Sequence, residues 1–297
     1  MPNNQPADGV GTQPVVGVIG LGDIGDGVAS SVVRAGLPLV VCDLRTEATD
    51  RYRDGSVVAD SPADLVRQSD VVVVAVVNDD QVHAVLSGPE CGLAAADGDT
   101  TFIIVSTITV PCIEAIGAEA AGSGAKVLDC GVTGGPTAAA AGELVCMVGG
   151  DVDAIERVRP VFDAIGSLTV RMGAFGAGLA AKLARNLITY GSWLAAYESQ
   201  VLAEAAGIDL AKLAEVVKAS DVQIGGASRL MFRSTAAPFT DEDNEVIVGA
   251  MRTASLLAHK DLRAALELAR SLDVELPLAV MADERCDEVF GMGSVAK

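Results

Sequence analysis

Aromatic residues and positive charge are both scarce in this sequence. Aromatic side chains account for 3% of the 297 residues, whereas 50% are hydrophobic, so the core has to be built from Ala, Val and Leu. The formal net charge is −19. Sequence-unspecific binding to nucleic acid needs clustered Lys and Arg, so we expect no nucleic-acid partner. The acidic surface is more simply explained as a means of keeping the protein in solution.

Paired cysteines, long apolar runs and a secretion signal are also missing. The six cysteines are scattered with no CxxC pair, which predicts free thiols in a reducing compartment and no metal site. The longest apolar run, VVVVAVV at 71–77, is too short to span a bilayer. Residues 1–13 lack the basic and apolar segments of a signal peptide, and we expect them to form a disordered leader. These absences predict a cytoplasmic protein with no membrane partner.

β-Branched apolar runs alternate with helical patterns over the first part of the chain. Examples are VVGVI at 15–19, LPLVVCD at 37–43 and TFIIVS at 101–106. The runs are apolar on both faces, which is typical of buried strands in a parallel sheet with helices on either side. We therefore predict a doubly wound α/β domain over residues 14–175.

The pattern changes near residue 176, after which only helical periodicity remains. A long helix is predicted from Gly178 to about Ala206, because this stretch has no proline and only Gly191 interrupts it. Residues 176–297 are therefore expected to form an all-α domain, joined to the first domain by the long helix. Further helices are predicted near residues 209–219, 226–234, 243–272 and 276–290.

A glycine-rich turn follows the first predicted strand. Its G-x-G-x-x-G spacing lies between a strand and a helix, near the start of a βαβ unit, which is the context that a dinucleotide-binding turn requires. The first glycine permits the tight turn, the second admits a pyrophosphate, and the third lets the helix pack closely on the strand. Free N–H groups at the helix N-terminus then bind the phosphates. The predicted cofactor-binding residues of this turn are Gly20, Leu21, Gly22, Asp23, Ile24 and Gly25.

An acidic and a basic residue near the end of the second predicted strand bear on the choice of cofactor. Asp43 lies 18 residues after Gly25, where a carboxylate accepts hydrogen bonds from the adenosine ribose and repels a 2′-phosphate. Arg45 is close enough in sequence to bind such a phosphate instead. These residues favour NAD in a Rossmann domain and leave NADP possible.

Four further stretches follow in a recognisable order. They are IIVSTITVP at 103–111, VLDCGVTGGPTAAAAGELVCMVGG at 127–150, GAFGAGLAAKLARN at 173–186 and HKDLRAALELA at 259–269. Together with the glycine turn, they resemble the motifs of the β-hydroxyacid dehydrogenase family, which includes 3-hydroxyisobutyrate dehydrogenase and tartronate semialdehyde reductase. Five motifs in order are far more specific than any one of them.

The resemblance implies a Rossmann domain followed by an all-α substrate and dimerisation domain, in a homodimer or homotetramer. It implies interconversion of a small 3-hydroxy acid and its semialdehyde or ketone with NAD or NADP. On matching positions, Lys182 is implied as the catalytic acid/base and Asn186 as its hydrogen-bonding neighbour. The other implied residues are Thr133, Gly134 and Gly135 for the substrate carboxylate, and Val77, Thr107 and Lys260 for the cofactor.

Small departures from the family pattern occur beside these residues. Thr133 stands where serine is usual, so the hydroxyl is kept and a methyl group is added. Gly131 stands where proline or alanine is common. Val76 and Val77 replace the usual Leu-Pro before Asn78.

The chemistry of hydride transfer accounts for a lysine in an apolar helix. A carbinol that loses hydride must also lose its hydroxyl proton, and a positioned base must accept that proton. Lysine can do so when burial lowers its pKa, and Lys182 lies among alanines and leucines. At about 100° per residue, Asn186, Thr189 and Trp193 share its face of the helix. The helix is therefore predicted to present one polar stripe to a cleft.

Other functions of the same architecture fit the residues less well. Decarboxylating 6-phosphogluconate dehydrogenases carry a histidine and a glutamate after their lysine, where this chain has Arg185 and Thr189. Imine reductases, which favour NADP, and non-enzymatic cofactor-binding relatives have replaced or lost the lysine, so Lys182 weighs against both and leaves them as alternatives. The substrate is not specified, and Gln223, Arg229 and Phe232 are candidates for its recognition.

Overall fold

The computed structural model describes residues 13–88, 91–226, 228, 231–233 and 235–293. The predicted leader, apart from Gln13, and the specificity candidate Arg229 lie outside the described residues. The chain divides into two compact units, Met1–Arg185 and Asn186–Lys297. No helix within the described ranges is long and apolar enough to cross a membrane.

The first unit is built on an eight-stranded sheet in the order β3-β2-β1-β4-β5-β6-β7-β8. Strands β1 to β6 pair in parallel, which is the doubly wound arrangement predicted from the sequence. The strands are β1 (Val16–Ile19), β2 (Leu39–Cys42), β3 (Val57–Val58), β4 (Val71–Val74), β5 (Thr101–Ile104), β6 (Lys126–Thr133), β7 (Leu144–Gly149) and β8 (Gly166–Gly173).

Helices cover both faces of this sheet. The buried side chains form two clusters, with the sheet between them. Strand β4 contributes Val71 and Val73 to one cluster and Val72 and Val74 to the other, because successive side chains of a strand point to opposite faces. The helices are α1 (Asp23–Arg34), α2 (Thr46–Asp50), α3 (Pro62–Arg67), α4 (Asp79–Leu86), α5 (Gly92–Ala95), α6 (Val110–Ser123), α7 (Gly135–Ala141), α8 (Val152–Arg157) and α9 (Arg159–Ile165).

Strand β7 departs from the parallel order, since it runs antiparallel to β6. Ten residues separate Thr133 from Leu144, and they hold only the short helix α7. A parallel crossover takes a dozen or more residues, so this connection returns the chain antiparallel. Strand β8 pairs in parallel with β7 and forms one edge of the sheet. Cys130 on β6 and Cys146 on β7 are buried free thiols, as predicted.

The second unit is helical, which confirms the predicted change of architecture. The division between the units falls inside helix α10 (Ala177–Ala205), which begins in the first unit. The other helices are α11 (Leu210–Ile224), α12 (Glu245–Ser271), α13 (Pro277–Glu284) and α14 (Cys286–Val289).

Two of the predicted helices differ from the structure. The helix expected at 276–290 is two helices, α13 and α14, that meet at Arg285. The described part of 226–234, which consists of 226, 228 and 231–233, contains no α-helical residue. Phe232 is exposed there and Gln223 is exposed near the end of α11, so the structure assigns neither to a site.

Candidate active site

The turn between β1 and α1 has the shape that a dinucleotide requires. Gly20 adopts a φ of +89°, and a Cβ on this residue would lie 2.7 Å from the carbonyl oxygen of Ala75. A Cβ on Gly25 would lie 1.9 Å from the carbonyl oxygen of Gly20, so only glycine lets α1 approach the turn this closely. At Gly22, by contrast, nothing lies within 4 Å of the Cβ position. The turn is thus closed behind its first and third glycines and open at the second, where a pyrophosphate would lie.

The N-terminus of α1 is a suitable place for phosphate groups. Gly22 is the N-cap of this helix, and no side chain caps it. The first N–H groups of a helix lack partners within the helix, and the helix dipole favours an anion beside them. Asp23 and Ile24 begin the helix, so their N–H groups are placed as the predicted cofactor-binding residues require. The chain therefore fits a dinucleotide at this turn.

Asp43 joins the end of β2 to this turn. Its carboxylate accepts a hydrogen bond from the N–H of Leu21 at 2.6 Å and forms an ion pair with the guanidinium of Arg45 at 3.0 Å. Arg45 also donates to the carbonyl oxygen of Leu21 at 3.0 Å. Burial alone would raise the pKa of Asp43, but the hydrogen bonds from Arg45 and Leu21 outweigh it and the pKa is lowered. Asp43 is therefore an anion, and Arg45 is held against it.

Strands β4 and β5 are neighbours in the sheet, and the segments that follow them are joined by hydrogen bonds. The N–H of Val76 donates to the hydroxyl of Ser106 at 3.0 Å, and the N–H of Thr109 donates to the carboxylate of Asp79 at 3.0 Å. The predicted cofactor residues Val77 and Thr107 lie in these two loops, and both are exposed. Sequence patterns did not identify the hydrogen bonds made by Ser106 and Asp79.

Lys182 lies against β6 near the start of α10. Its Nζ atom donates to the carbonyl oxygen of Val132 at 2.5 Å, next to the predicted substrate residue Thr133. A Cβ on Gly131 would lie 2.4 Å from the Cβ of Lys182. The departure from proline or alanine at position 131 therefore makes room for the stem of the lysine.

The surroundings of Lys182 lower the pKa of its ammonium group. Partial burial lowers its pKa, and the positive charge of Arg185 lowers it further. A lysine with a lowered pKa can exchange a proton under conditions where an ordinary surface lysine stays charged. The predicted environment of Lys182 within the first unit is consistent with the proton-transfer role that the sequence implies.

The three predicted substrate residues are consecutive and form the turn at the end of β6. Thr133 ends β6, and Gly134 and Gly135 follow with φ values of +124° and +72°. Turns can direct successive N–H groups to one side and so bind an anion, and the carboxylate site at this turn stays a prediction. Nothing lies within 4 Å of the Cβ position of Gly135, so the turn is open there.

Asp129 is a functional candidate that lies within the motif at 127–150 but has no role predicted from the sequence. It lies in the middle of β6 and its residue is 1% exposed. Its carboxylate accepts hydrogen bonds from the N–H groups of Gly176 at 2.7 Å and Leu179 at 2.6 Å. Gly176 directly precedes α10 and Leu179 lies in its first turn. They are 47 and 50 residues later in the sequence, so no local spacing could reveal the contact.

The remaining predicted residues belong to the second unit. Asn186 follows Lys182 by one turn of α10 and is half-buried. Lys260 lies on α12, where it forms an exposed ion pair with Asp261 at 3.1 Å. Their participation in a site with the first unit stays a prediction. No cluster of His, Cys, Asp and Glu that could hold a metal occurs among the described residues.

Two family matches divide the chain between them. Residues 15–176 match the NAD binding domain of 6-phosphogluconate dehydrogenase, and residues 176–293 match the family described as NAD-binding of NADP-dependent 3-hydroxyisobutyrate dehydrogenase. The L-threonate dehydrogenase of Cupriavidus necator is 34% identical over 283 residues, which cover 95% of this chain and 91% of that protein. The chain belongs to the β-hydroxyacid dehydrogenase family.

Solved structures extend the comparison to the fold. A crystal structure of an oxidoreductase from Mycobacterium avium is 35% identical with a TM-score of 0.86 and covers 94% of this chain and 99% of its own. The 3-hydroxyisobutyrate dehydrogenase of Mycobacterium tuberculosis, solved with L-serine, is 27% identical with a TM-score of 0.66 and covers 93% of this chain and 94% of its own. The chain is thus an NAD(P)-dependent hydroxyacid dehydrogenase, and the predicted family and cofactor class are confirmed.

Proposed function

We propose that this β-hydroxyacid dehydrogenase oxidises the carbinol of a small 3-hydroxy acid, with Lys182 as the general acid/base. One observation carries the proposal. Lys182 has a lowered pKa and its Nζ atom lies 2.5 Å from the carbonyl oxygen of Val132, immediately before the open turn at Thr133. An amine that can lose its proton is thereby held beside an open turn whose N–H groups would bind a carboxylate in this proposal.

The roles of the residues follow from a balanced reaction. NAD or NADP, when bound, accepts the hydride from the carbinol carbon. The neutral amine of Lys182 accepts the hydroxyl proton in the same conversion, so that the alcohol becomes a carbonyl. In the reverse direction the ammonium of Lys182 donates that proton to the carbonyl oxygen. Asn186, one turn later on α10, orients the amine or the substrate hydroxyl.

The substrate carboxylate binds at the turn after β6. Thr133 supplies a hydroxyl, and Gly134 and Gly135 supply backbone N–H groups in positive-φ conformations. The methyl group of Thr133 narrows this turn relative to the serine that is usual in the family. This arrangement suits compact 3-hydroxy acids such as 3-hydroxyisobutyrate and glycerate, the latter being interconverted with tartronate semialdehyde. L-Threonate is a further candidate, because one relative is named after it.

NAD is the favoured cofactor at the glycine turn. Asp43 is an anion at the end of β2, where it would accept the ribose hydroxyls and repel a 2′-phosphate. Arg45 could attract that phosphate, but its guanidinium is already paired with Asp43 at 3.0 Å. Use of NADP would require this ion pair to open. Val77, Thr107 and Lys260 complete the cofactor site in this proposal.

The active enzyme is a homodimer or homotetramer in this proposal. Helix α10 exposes Tyr190, Trp193 and Tyr197 to the extent of 60%, 64% and 63%. A buried aromatic side chain removes about 150–250 Å² from water, and a stable interface takes about 800 Å² from each partner. At their present exposure the three rings would supply roughly half of that area, and exposed neighbours such as Leu187 and Leu194 would supply more, which supports self-association through the helical unit.

The decisive experiment is a substrate panel with both cofactors. The purified chain is assayed with 3-hydroxyisobutyrate, glycerate, serine, threonate, 3-hydroxypropionate and phenylserine, each with NAD and NADP, and Lys182→Ala is the control. We expect oxidation of at least one acid, faster with NAD, and its loss in Lys182→Ala. A cyclic imine with NADPH is included, since turnover of the imine alone would identify the imine reductase alternative. Cofactor binding without any turnover would identify a non-enzymatic relative.

A further inference from the structure

We propose that Asp129 is a positioning residue that fixes the start of α10 against the sheet and thereby holds Lys182 in place. This inference rests on the proposed role of Lys182. Asp129 itself is buried beneath the helix and is not proposed to touch the substrate or the cofactor.

The contact of Asp129 with α10 is both polar and bidentate. One carboxylate oxygen accepts from Gly176 at 2.7 Å and the other accepts from Leu179 at 2.6 Å. Gly176 directly precedes α10 and Leu179 lies in its first turn, where the N–H groups have no partner within the helix. A carboxylate at this end is further favoured by the dipole of a helix that is 29 residues long. A buried carboxylate with two donors fixes the helix in rotation as well as along its axis.

Three glycines show how closely the helix approaches the sheet at this point. A Cβ on Gly149 would lie 2.2 Å from the Asp129 carboxylate, and one on Gly178 would lie 2.6 Å from the Asp129 carbonyl oxygen. A Cβ on Gly131 would meet the Cβ of Lys182 at 2.4 Å. The sheet and the helix thus both carry glycine where they meet around the carboxylate. The next turn of the helix places the aliphatic part of Lys182 on the sheet.

Lys182 depends on this placement because it lies only three residues after Leu179. Its stem occupies the space over Gly131, and its Nζ atom reaches the carbonyl oxygen of Val132 at 2.5 Å. If the first turn of α10 moves away from Asp129, the amine loses this partner and gains water. Its pKa then rises toward that of an ordinary lysine, since partial burial is the main cause of its lowering.

The test compares Asp129→Asn with a matched variant, Glu198→Gln. Glu198 is 6% exposed and accepts hydrogen bonds from the N–H groups of Leu278 at 2.7 Å and Ala279 at 3.1 Å, at the start of α13. Each variant therefore replaces a buried carboxylate that caps a helix by an amide. Only Asp129 caps the helix that carries Lys182 at its start.

Two measurements are made on each folded variant. The first is the pH dependence of Lys182 acylation by acetic anhydride, quantified by peptide mass spectrometry with Lys212 as the internal reference. The second is the pH profile of kcat/KM for the oxidation. We expect Asp129→Asn to shift the midpoint for Lys182 and the acid limb of the profile upward, and to lower kcat by roughly 10- to 100-fold, with KM less affected. Glu198→Gln should leave both midpoints unchanged.

The outcomes separate this inference from the proposed function. If no hydroxy acid is oxidised but the acylation midpoint of Lys182 shifts in Asp129→Asn, the positioning role stands and the proposed function fails. If Lys182→Ala abolishes turnover while folded Asp129→Asn keeps the wild-type midpoint and kcat, the positioning role is wrong. An equal shift in Glu198→Gln would also overturn it, since the effect would then be general loosening.

Hydrogen exchange on the unaltered chain decides the case in which Asp129→Asn does not fold. The amides of Gly176 and Leu179 should exchange at least 10-fold more slowly than those of Ala211 and Lys212, which the exposed Asp209 caps at the start of α11. Exchange at similar rates would mean that Asp129 does not hold the first turn, and the inference would be rejected.

Discussion

The two units of this chain treat their apolar side chains in opposite ways. In the first unit, Phe102 and Phe162 are 0% exposed between a sheet and the helices on its faces. In the second unit, Val222 is 87% exposed and Val246 is 80% exposed, although both lie on long helices. Among its described residues, the hydrophobic side chains that are buried are Ala203, Ala269, Leu276 and Cys286. The first unit thus carries its own core, whereas the second presents apolar helices that a further surface would stabilise.

The largest effect should come from the catalytic group in the first unit. Lys182→Ala should lower kcat/KM by about 10²- to 10⁴-fold, since this is the usual contribution of a positioned acid or base. In the wild type, kcat/KM for oxidation should rise with pH as Lys182 loses its proton, from a pKa that burial and Arg185 lower. The reduction needs the protonated lysine and should fall over the same range. Steady-state assays in both directions measure these slopes, and slopes of the same sign would contradict the assignment.

The difference in core is tested by a pair of truncations. Phe102→Ala should lower the free energy of unfolding by about 3–5 kcal/mol, because it opens a cavity among fully buried side chains. Val246→Ala, at an exposed position, should change it by no more than about 0.5 kcal/mol at low protein concentration. Denaturant unfolding followed by circular dichroism gives both values. Equal costs would mean that the second unit has a core of its own at Val246.

Self-association should depend on the aromatic face of α10. Trp193→Ala is expected to weaken subunit association by about 2 kcal/mol or more, as the loss of a central tryptophan does at many interfaces. Light scattering after size exclusion should then show a shift toward the 30.2 kDa monomer. Val33→Ala is a suitable control, since Val33 is 48% exposed on α1 of the first unit. A wild-type chain that is monomeric at micromolar concentration would remove this role from α10.

The smallest effect should come from a helix cap in the second unit. Asp209 accepts from the N–H groups of Ala211 at 2.8 Å and Lys212 at 3.4 Å, so Asp209→Ala should cost about 1 kcal/mol. Glu215→Ala, further along α11, is the control and should be nearly neutral. If the units unfold separately, calorimetry should show that only one transition moves. Movement of both would show that the two units unfold together.

Much of the first unit could be predicted because its signals are local. The first four residues of the apolar run at 71–77 form the buried central strand β4, and the spacing of Gly20, Gly22 and Gly25 defines the turn before α1. The reversal of β7 was missed because apolar runs do not encode direction. It follows instead from the short connection between Thr133 and Leu144.

The candidate site was predictable only in part. The five motifs identify Lys182 and the turn at Thr133, but they do not indicate that Lys182 lies over Gly131. Asp129 lies within the motif at 127–150, but its role is not visible there, because its partners Gly176 and Leu179 are distant in sequence. Neither contact has a periodic signature, since both depend on how a helix is seated on a sheet.

The scarcity of aromatic residues gives the chain a built-in optical reporter. It has a single tryptophan, Trp193, which is 64% exposed and makes an edge-to-face contact with Tyr190 at 5.4 Å between ring centres. Fluorescence excited at the red edge of tryptophan absorption therefore arises from one position on α10. Its emission maximum should move to shorter wavelength whenever that face is covered, so dilution or ligand titration can be followed on the unlabelled, unaltered protein.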